Sequence, residues 1–257
     1  MPFPLLVAFD LDDTLAPSKS AVDPRMLDVF ARLLERTTVA VISGGNFEQF
    51  ETQLVTRLEA FGAAGGVNEA MLERLHLLPT CGTRYERREG GSWRTMYQEH
   101  LEPAQRDAAF TALREEAERL GLWQSETWGE VLEDRGSQVT FSALGQRAPV
   151  AAKHEWDRDG AKKNALRAAV AERLPDLEVR SGGSTSVDIT RRGIDKAYGM
   201  RKLAEHTGIS LDDMLFIGDR LDPDGNDYPV LALGVRCHAV EGWEDTAGFL
   251  EQLLEAE

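Results

Sequence analysis

Unbroken apolar runs alternate with amphipathic stretches near both ends of the chain. The runs "PLLVAFDL", "TTVAVISGG" and "DMLFIGD" have the character of parallel strands that are buried on both faces. Residues 24–36 carry apolar side chains at helical spacing, with Asp23 as the expected N-cap and Pro24 at the first helical position. A second helix is expected to begin after its N-cap Asn46, and a later one to end at Gly208. This β-α-β-α alternation predicts a parallel sheet with right-handed crossovers.

The middle of the chain follows a different pattern. Segments such as "VLEDRGSQVTFSAL" and "STSVDIT" alternate apolar with polar residues, as antiparallel strands with one buried face do. We therefore predict an α/β protein with a Rossmann-like parallel-sheet core over residues 1–83 and 191–257. An α+β insert over residues 84–190 interrupts this core, with an antiparallel sheet that carries helices on one face. After the insert, "PVLALGVRCHAV" is expected to be one more core strand.

Composition and charge exclude several classes of protein. The 257-residue chain has a formal net charge of -15, which opposes binding to the phosphate backbone of nucleic acids. No apolar run approaches the ~20 residues that span a bilayer, and the N-terminus lacks the features of a signal peptide. Cys81 and Cys237 form no disulfide framework, which favours a reducing compartment. We expect a soluble, cytoplasmic protein that binds neither nucleic acid nor membrane.

The first candidate for chemistry is the string "DLDDT", directly after the first predicted strand. Ligands of parallel sheets bind beyond the carboxyl ends of the strands, where Asp10 and Asp12 are expected to lie. Two carboxylates there suit Mg²⁺, or a nucleophile paired with a group that transfers protons. The alternative is a solvated acidic turn capped by Asp13 or Thr14. A calcium loop fits poorly, because its twelfth position, Ala21, is not a glutamate.

Three further candidates lie at the ends of predicted core elements. Ser43 and the amide of Gly44, in "VISGG", suit a phosphoryl oxygen, although a plain turn explains them as well. Lys196, in "RRGIDKAYGM", suits a site that neutralises phosphoryl charge, although a solvated surface lysine is the commoner case. Asp219 and Asp227 belong to "FIGDRLDPDGNDYP", which reads either as a metal-binding loop or as a flexible acidic loop.

In combination these strings resemble the haloacid dehalogenase superfamily. A D-x-D-x-T start is followed by a strand-end Ser, then a Lys, then G-D-x(n)-N-D, in this order. The resemblance covers the predicted core, about residues 4–43 and 192–230. It implies that Asp10 is the phosphorylated nucleophile and Asp12 the general acid/base, whose backbone carbonyl also binds Mg²⁺. The phosphoryl-binding residues that it implies are Ser43, Gly44 and Lys196, and the metal ligands are Asp10, Asp12, Asp219 and Asp227.

A narrower resemblance extends over most of the chain. The insert lies between the second and third motifs, as in the C2-capped (type IIB) branch, and several strings are similar to eukaryotic-type phosphomannomutases. They include "ISGGNFEQFETQL", "GDRLDPDGNDYPV", "VLEDRGSQVTFSALGQR" and "SGGSTSVDIT". This resemblance implies a Mg²⁺-dependent phosphohexomutase that interconverts mannose 6-phosphate and mannose 1-phosphate. It also implies a phosphosugar substrate, a hexose 1,6-bisphosphate activator and a homodimer through the cap.

Four residues of the insert are candidates for binding a sugar phosphate. Ser186 and Asp188 are two positions apart on a predicted strand, so they share a face. Arg135 and Arg147 flank another strand, and their guanidinium groups suit bidentate binding of a phosphate. Composition alone favours exposed arginines that pair with this protein's many carboxylates. The family resemblance instead implies a phosphate clamp, with Asp188 binding sugar hydroxyls.

Several positions depart from the phosphomannomutase pattern. The family's arginine soon after the first motif has no counterpart in "APSKSAV", where Lys19 is nearest. Asp13 replaces a glycine, Gly136 an asparagine and Ile194 a tryptophan, and Gln146 is inserted before the second cap arginine. These departures leave the nucleophile intact. They keep open the identity of the sugar and a sugar-phosphate phosphatase that uses the same aspartate. A phosphosugar sensor without catalysis is a rival of a different class, and the presence of all four core motifs argues against it.

Overall fold

A computed structural model of the chain describes residues 3–182 and 185–255, which divide into two units. The strands, in chain order, are β1 (Leu6–Phe9), β2 (Thr38–Ile42), β3 (Leu75–Leu78), β4 (Arg84–Glu89), β5 (Ser92–Gln98), β6 (Leu132–Asp134), β7 (Gln138–Ser142), β8 (Leu177–Ser181), β9 (Ser186–Arg191), β10 (Met214–Gly218) and β11 (Arg236–Ala239). The helices are α1 (Pro24–Arg36), α2 (Phe47–Phe50), α3 (Thr56–Ala63), α4 (Glu69–Leu72), α5 (Pro103–Arg119), α6 (Val150–Trp156), α7 (Ala161–Arg173), α8 (Lys196–Thr207), α9 (Tyr228–Ala232) and α10 (Trp243–Glu255). A π-helix, Glu51–Val55, joins α2 to α3.

A seven-stranded sheet forms the centre of the first unit, in the order β11-β10-β1-β2-β3-β4-β5. The pairs from β11 to β3 are parallel, whereas β4 and β5 are antiparallel to their neighbours. Strand β1 is buried on both faces: Val7 and Phe9 belong to the core cluster that includes α1 and α10, and Leu6 and Ala8 to the one that includes α8. This two-sided burial is why the strand reads as one apolar run.

The helix ends follow the predicted capping. The Asp23 side chain accepts a hydrogen bond from the backbone of Arg25 at the start of α1, and the Asn46 side chain accepts one from Gln49 at the start of α2. Helix α8 ends at Gly208, which has a φ of 72° and therefore a conformation that glycine adopts without strain. These capping predictions are confirmed.

The second unit, Glu99–Ile194, has a separate antiparallel sheet in the order β6-β7-β9-β8. The apolar face of this sheet packs against α5 and α7. The sheet residues in this apolar core include Val139, Phe141, Val187 and Ile189. The predicted α/β core with an inserted antiparallel sheet is confirmed. Gly183 and Ser184, in the predicted strand segment "SGGSTSVDIT", lie outside the described residues. Among the described residues, no helix is both long enough and apolar enough to cross a membrane.

Two details differ from the sequence-based expectation. The insert predicted over residues 84–190 occupies Glu99–Ile194, because β4 and β5 extend the core sheet beyond β3. An alternating strand pattern shows that a segment pairs, but not which sheet it joins. The segment "PVLALGVRCHAV" forms the short helix α9 before β11, since Pro229 lies in the first helical turn, where its missing N–H is tolerated.

Candidate active site

The candidate residues of the first unit follow the carboxyl ends of neighbouring parallel strands. Asp10 comes directly after β1, and its backbone N–H continues the ladder to β10 by donating to the carbonyl of Ile217 at 3.0 Å. Ser43 follows β2 and Asp219 follows β10, the strands on either side of β1. The order of the sheet therefore brings together residues that lie more than 200 positions apart in the sequence, as parallel sheets do at their ligand-binding edge.

Three carboxylates meet at this edge. One oxygen from each of Asp10, Asp219 and Asp227 lies within 4.8 Å of the others. Asp10 and Asp227 are 4% and 0% exposed, and Thr14 donates a hydrogen bond to Asp219 at 3.4 Å. Oxygen donors of this charge are the ligands that Mg²⁺ prefers, so the donor set fits that ion.

Lys196 is the cation of the cluster. Its Nζ lies 2.6 Å from Asp10 Oδ1 and 2.5 Å from Asp227 Oδ1, and the residue is 1% exposed. Asp195 caps α8 by accepting from the backbone of Tyr198, which fixes the helical turn that carries the lysine. Burial opposes the lysine's charge, but the two carboxylates raise the pKa of Lys196 above its usual value. The interpretation of Lys196 as a solvated surface residue is therefore wrong.

The cluster carries more negative than positive charge. Burial raises the pKa of Asp10 well above its usual value; Lys196 opposes this shift, and the nearby carboxylate of Asp227 adds to it. Burial and the charge of Asp227 also raise the pKa of Asp219. One ammonium does not compensate three carboxylates, and a divalent cation would supply the missing charge. This electrostatic imbalance is a second reason why the site fits Mg²⁺.

The side chain of Asp12 has different partners. Its Oδ2 accepts from Gln49 Nε2 at 2.8 Å, and its Oδ1 accepts from Gln53 Nε2 at 3.2 Å and from the backbone N–H of Lys19 at 2.7 Å. It is not one of the three clustered carboxylates, in line with a metal contact through its backbone carbonyl. Asp13 is exposed and accepts from the backbone of Ser18, as a turn residue does. The sequence interpretation did not single out either glutamine.

The Ser43 turn is held from two sides. Ser43 Oγ accepts from the backbone N–H of Gly45 at 3.1 Å, which orients the hydroxyl at the end of β2. The carbonyls of Ser43 and Gly45 accept from the backbones of Cys81 and Thr80, both at 2.9 Å. Gly44 lies between these contacts, so its predicted amide belongs to a turn whose backbone is fixed on both sides.

The segment that holds this turn also touches α8. Thr80, Cys81 and Gly82 all have positive φ values, 48°, 56° and 87°, which is unusual for the first two. A Cβ added to Gly82 would lie 2.6 Å from Gly199 Cα, so only glycines allow this approach. The 80–82 segment thereby connects the Ser43 turn to the helix that begins with Lys196. No sequence motif signalled this connection, because it depends on the contact of two distant glycines.

The second unit gathers a polar cluster on the sheet face opposite its apolar core. Asp188 Oδ1 accepts from Thr140 Oγ1 at 2.7 Å, and Gln138 donates to the same hydroxyl at 2.9 Å. Burial raises the pKa of Asp188, and the positive charge of Arg135 opposes this shift. Arg135 donates to Glu133 at 2.8 Å, so it pairs with a carboxylate as composition alone suggests, but its side chain is only 10% exposed.

The other two predicted cap residues differ in their surroundings. Ser186 lies opposite Ser142 on β7 and on the same face of β9 as Asp188. Arg147 is exposed, and its guanidinium lies beside Gly129 rather than in the polar cluster around Asp188. The structure thus brings three of the four predicted residues to one sheet face. Gln138 and Thr140, which the sequence interpretation missed, are signalled by their alternation with Val139.

Comparisons with known proteins point to the same superfamily. A family model described as haloacid dehalogenase-like hydrolase matches residues 147–240. A probable phosphomannomutase of Caenorhabditis elegans is 24% identical over 262 residues, covering 97% of this chain and 95% of that protein. Phosphomannomutase 1 of Mus musculus is 26% identical over 242 residues, covering 89% and 83%.

A solved structure shares the fold. An N-terminally truncated IMP-nucleotidase of Plasmodium falciparum superposes with a TM-score of 0.72 at 13% identity, covering 98% of this chain and 70% of that one. The family-model match and the two relatives support a phosphomannomutase-like protein of the haloacid dehalogenase superfamily, in agreement with the predicted core motifs at the strand ends near Asp10.

Proposed function

We propose that the protein is a Mg²⁺-dependent phosphohexomutase that interconverts mannose 6-phosphate and mannose 1-phosphate. The observation that carries this proposal is the buried cluster of Asp10, Lys196 and Asp227 at the end of β1. It lies in a chain whose similarity to phosphomannomutases runs along almost its whole length. A sheltered carboxylate beside a cation and further metal-binding carboxylates suits phosphoryl transfer through a covalent intermediate.

Asp10 is the nucleophile in this proposal. At the start of the cycle Asp10 carries a phosphoryl group. The free hydroxyl of the bound sugar monophosphate attacks its phosphorus while Asp12 takes the hydroxyl proton, which forms the sugar bisphosphate and frees Asp10. After the bisphosphate reorients, Asp10 attacks the phosphorus of its other phosphate, the bond from that phosphorus to the sugar oxygen breaks, and Asp12 gives the proton to that oxygen, which restores the phosphoaspartate. Lys196 stabilises the charge on the transferred group. Mg²⁺, held by Asp10, Asp219 and Asp227, supplies further charge neutralisation when bound.

The second unit supplies the sugar-binding residues in this proposal. Arg135 and Arg147 bind the phosphate that is not being transferred, since guanidinium groups match phosphate geometry. Ser186 assists them, and Asp188 accepts hydrogen bonds from sugar hydroxyls. A hexose 1,6-bisphosphate starts the cycle by phosphorylating Asp10. The predicted homodimer through this unit is part of the same proposal.

A sugar-phosphate phosphatase with the same nucleophile is the competing function, because it differs only in the acceptor. Water rather than a sugar hydroxyl would then take the phosphoryl group from Asp10. The absence of an arginine between the first motif and Asp23 is the feature of the chain that keeps this alternative in view.

A phosphorus-31 NMR time course distinguishes the two functions. The protein is incubated with mannose 1-phosphate, Mg²⁺ and glucose 1,6-bisphosphate. We expect the mannose 6-phosphate signal to grow while inorganic phosphate stays at its starting level. Asp10→Asn should abolish the conversion, whereas Asp13→Asn, which changes the neighbouring exposed carboxylate, should retain it. Accumulation of inorganic phosphate without the isomer would refute the mutase.

A further inference from the structure

Asp12 is held by two glutamines from the continuous helix formed by α2, the π-helix and α3. Gln49 donates to one carboxylate oxygen and Gln53 to the other, at 2.8 and 3.2 Å. Gln49 also donates to Gln53 Oε1 at 2.7 Å, and Gln53 also donates to the backbone carbonyl of Ser20 at 2.9 Å. All four N–H groups of the two amides therefore have an acceptor, so every amide donor of this network is satisfied.

The direction of this network is fixed by the Ser20 carbonyl. A carbonyl only accepts, so the nitrogen of Gln53 must face it, and the oxygen of Gln53 must face Gln49. Gln49 must then present its own nitrogen, which also reaches Asp12. The backbone thus determines that Asp12 meets amide donors at both oxygens, and its carboxylate is held in one orientation.

The π-helix explains how Gln53 reaches so many partners. Helices widened in this way have one carbonyl outside the regular ladder, and they occur frequently at functional sites. Here the backbone carbonyl of Gln53 accepts from the N–H of Val22 at 2.9 Å, while its side chain binds the Ser20 carbonyl. Gln53 is 1% exposed and grips the 17–22 loop at two points. The same loop supplies the Lys19 N–H that binds Asp12.

We propose that Gln53, together with Gln49, is a positioning residue that aims the Asp12 carboxyl group at the sugar oxygen during proton transfer. The inference rests on the proposed function, because the orientation of the Asp12 carboxyl group matters for the reaction only if Asp12 transfers protons. When Asp10 attacks a sugar phosphate, the departing sugar oxygen is a strongly basic alkoxide and must receive a proton from Asp12. When Asp10 attacks 4-nitrophenyl phosphate, nitrophenolate leaves without a proton. Loss of the correct Asp12 orientation should therefore slow the reaction with the sugar phosphate but not the reaction with 4-nitrophenyl phosphate.

The test compares the first turnover of wild type and Gln53→Met with these two phosphates in the presence of Mg²⁺. Methionine keeps the volume of glutamine but cannot donate a hydrogen bond. The sugar phosphate is glucose 1,6-bisphosphate, the donor that phosphorylates Asp10. We expect formation of the phosphoenzyme from it to slow at least about tenfold, because misplaced general acids lose much of their usual contribution. The nitrophenolate burst from 4-nitrophenyl phosphate should keep its wild-type rate. Gln49→Met should show the same selectivity, and Gln252→Met, on the exposed face of α10, should leave both rates unchanged.

The outcomes separate this inference from the proposed function. If wild type forms no phosphoenzyme with either phosphate, the proposed function fails. If wild type reacts with both and Gln53→Met slows both equally or neither, the positioning role fails while the function stands. A crystal structure of Gln53→Met gives a readout apart from activity: the Asp12 carboxylate should adopt another orientation. An unchanged Asp12 would also overturn the inference.

Discussion

Lys196 shows how a single residue gains its role from distant partners. The sequence places it at the start of a helix, but its environment is set by Asp10 and Asp227, which approach from two other elements. Asp10 could be singled out from the sequence because an acidic string follows a fully buried strand. The burial of Lys196 could not, since a lone lysine is usually solvated. Only the order of motifs along the chain, read as a family resemblance, drew attention to it.

Removing this ammonium should destabilise the fold. Lys196→Met leaves two buried carboxylates without their cation, and loss of one partner of a buried ion pair costs roughly 3–5 kcal/mol. We expect a decrease of that size in the free energy of unfolding, measured by urea denaturation in Mg²⁺-free buffer. The matched control is Lys202→Met on the same helix, whose partner Glu205 lies 3.7 Å away near the surface and contributes about 0–1 kcal/mol. Equal stability of the two variants would refute the buried ion cluster.

At the scale of elements, the local pattern predicted most of the core but not how its parts meet. Helix α1 and strands β1, β2 and β10 follow from periodicity and capping residues. The sequence pattern predicts β4 and β5 as part of the insert, since alternation does not identify a partner strand. The π-helix around Gln53 has no sequence signal either. The approach of α8 to the 80–82 segment is also invisible in the sequence, although it sets the position of the lysine-bearing turn.

Two glycines, one in α8 and one in α10, test the close contact between α8 and the 80–82 segment. A Cβ at Gly199 in α8 would lie 2.9 Å from the Cys81 carbonyl oxygen, so Gly199→Ala must displace α8 or the segment it touches. We expect a loss of about 1–3 kcal/mol in the free energy of unfolding, as for other overpacked sites. Gly248 in α10 has open space around it, so Gly248→Ala should be neutral or stabilise by up to about 1 kcal/mol. Differential scanning calorimetry measures the stability of both variants against wild type. The expected order is refuted if Gly199→Ala and Gly248→Ala both stabilise the protein.

At the scale of the whole molecule, the sequence says more about the division into two units than about the function. The net charge of -15 argues against binding to nucleic acids but does not indicate what the protein does. The division into a core and an insert was predictable because the type of alternation changes along the chain. Its first boundary was not, because β4 and β5 carry an antiparallel pattern yet belong to the core sheet. Of the polar cluster in the insert, the sequence interpretation singled out Ser186 and Asp188 but not Gln138 and Thr140, although alternation with Val139 signals these two as well.

Stability of the first unit should depend on pH through His76. Burial lowers the pKa of this histidine to about 4, with the positive charges of Arg87 and His206 adding to the shift. The unfolded chain binds the proton near pH 6.5, so the folded state is favoured fully above that pH and loses this contribution as the pH falls towards 4. The loss amounts to roughly 3 kcal/mol.

A glutamine at this position isolates the effect. Urea unfolding of wild type and His76→Gln is compared between pH 7 and pH 4, since glutamine keeps a hydrogen-bonding partner for the Tyr85 hydroxyl but does not titrate. We expect the difference in unfolding free energy between the two proteins to change by that amount across this range. A constant difference would show that His76 titrates alike in the folded and unfolded states.

The central claim is that Asp10 carries the phosphoryl group, and trapping that group tests it most directly. The protein is incubated with Mg²⁺ and glucose 1,6-bisphosphate and quenched with borohydride, which reduces an acyl phosphate to an alcohol and so converts a phosphorylated aspartate to homoserine. Peptide mass spectrometry should find homoserine at position 10 in wild type and no reduced residue in Asp10→Asn. The claim is contradicted if a protein that turns over the sugar phosphate shows no reduction at position 10, or shows it at another residue.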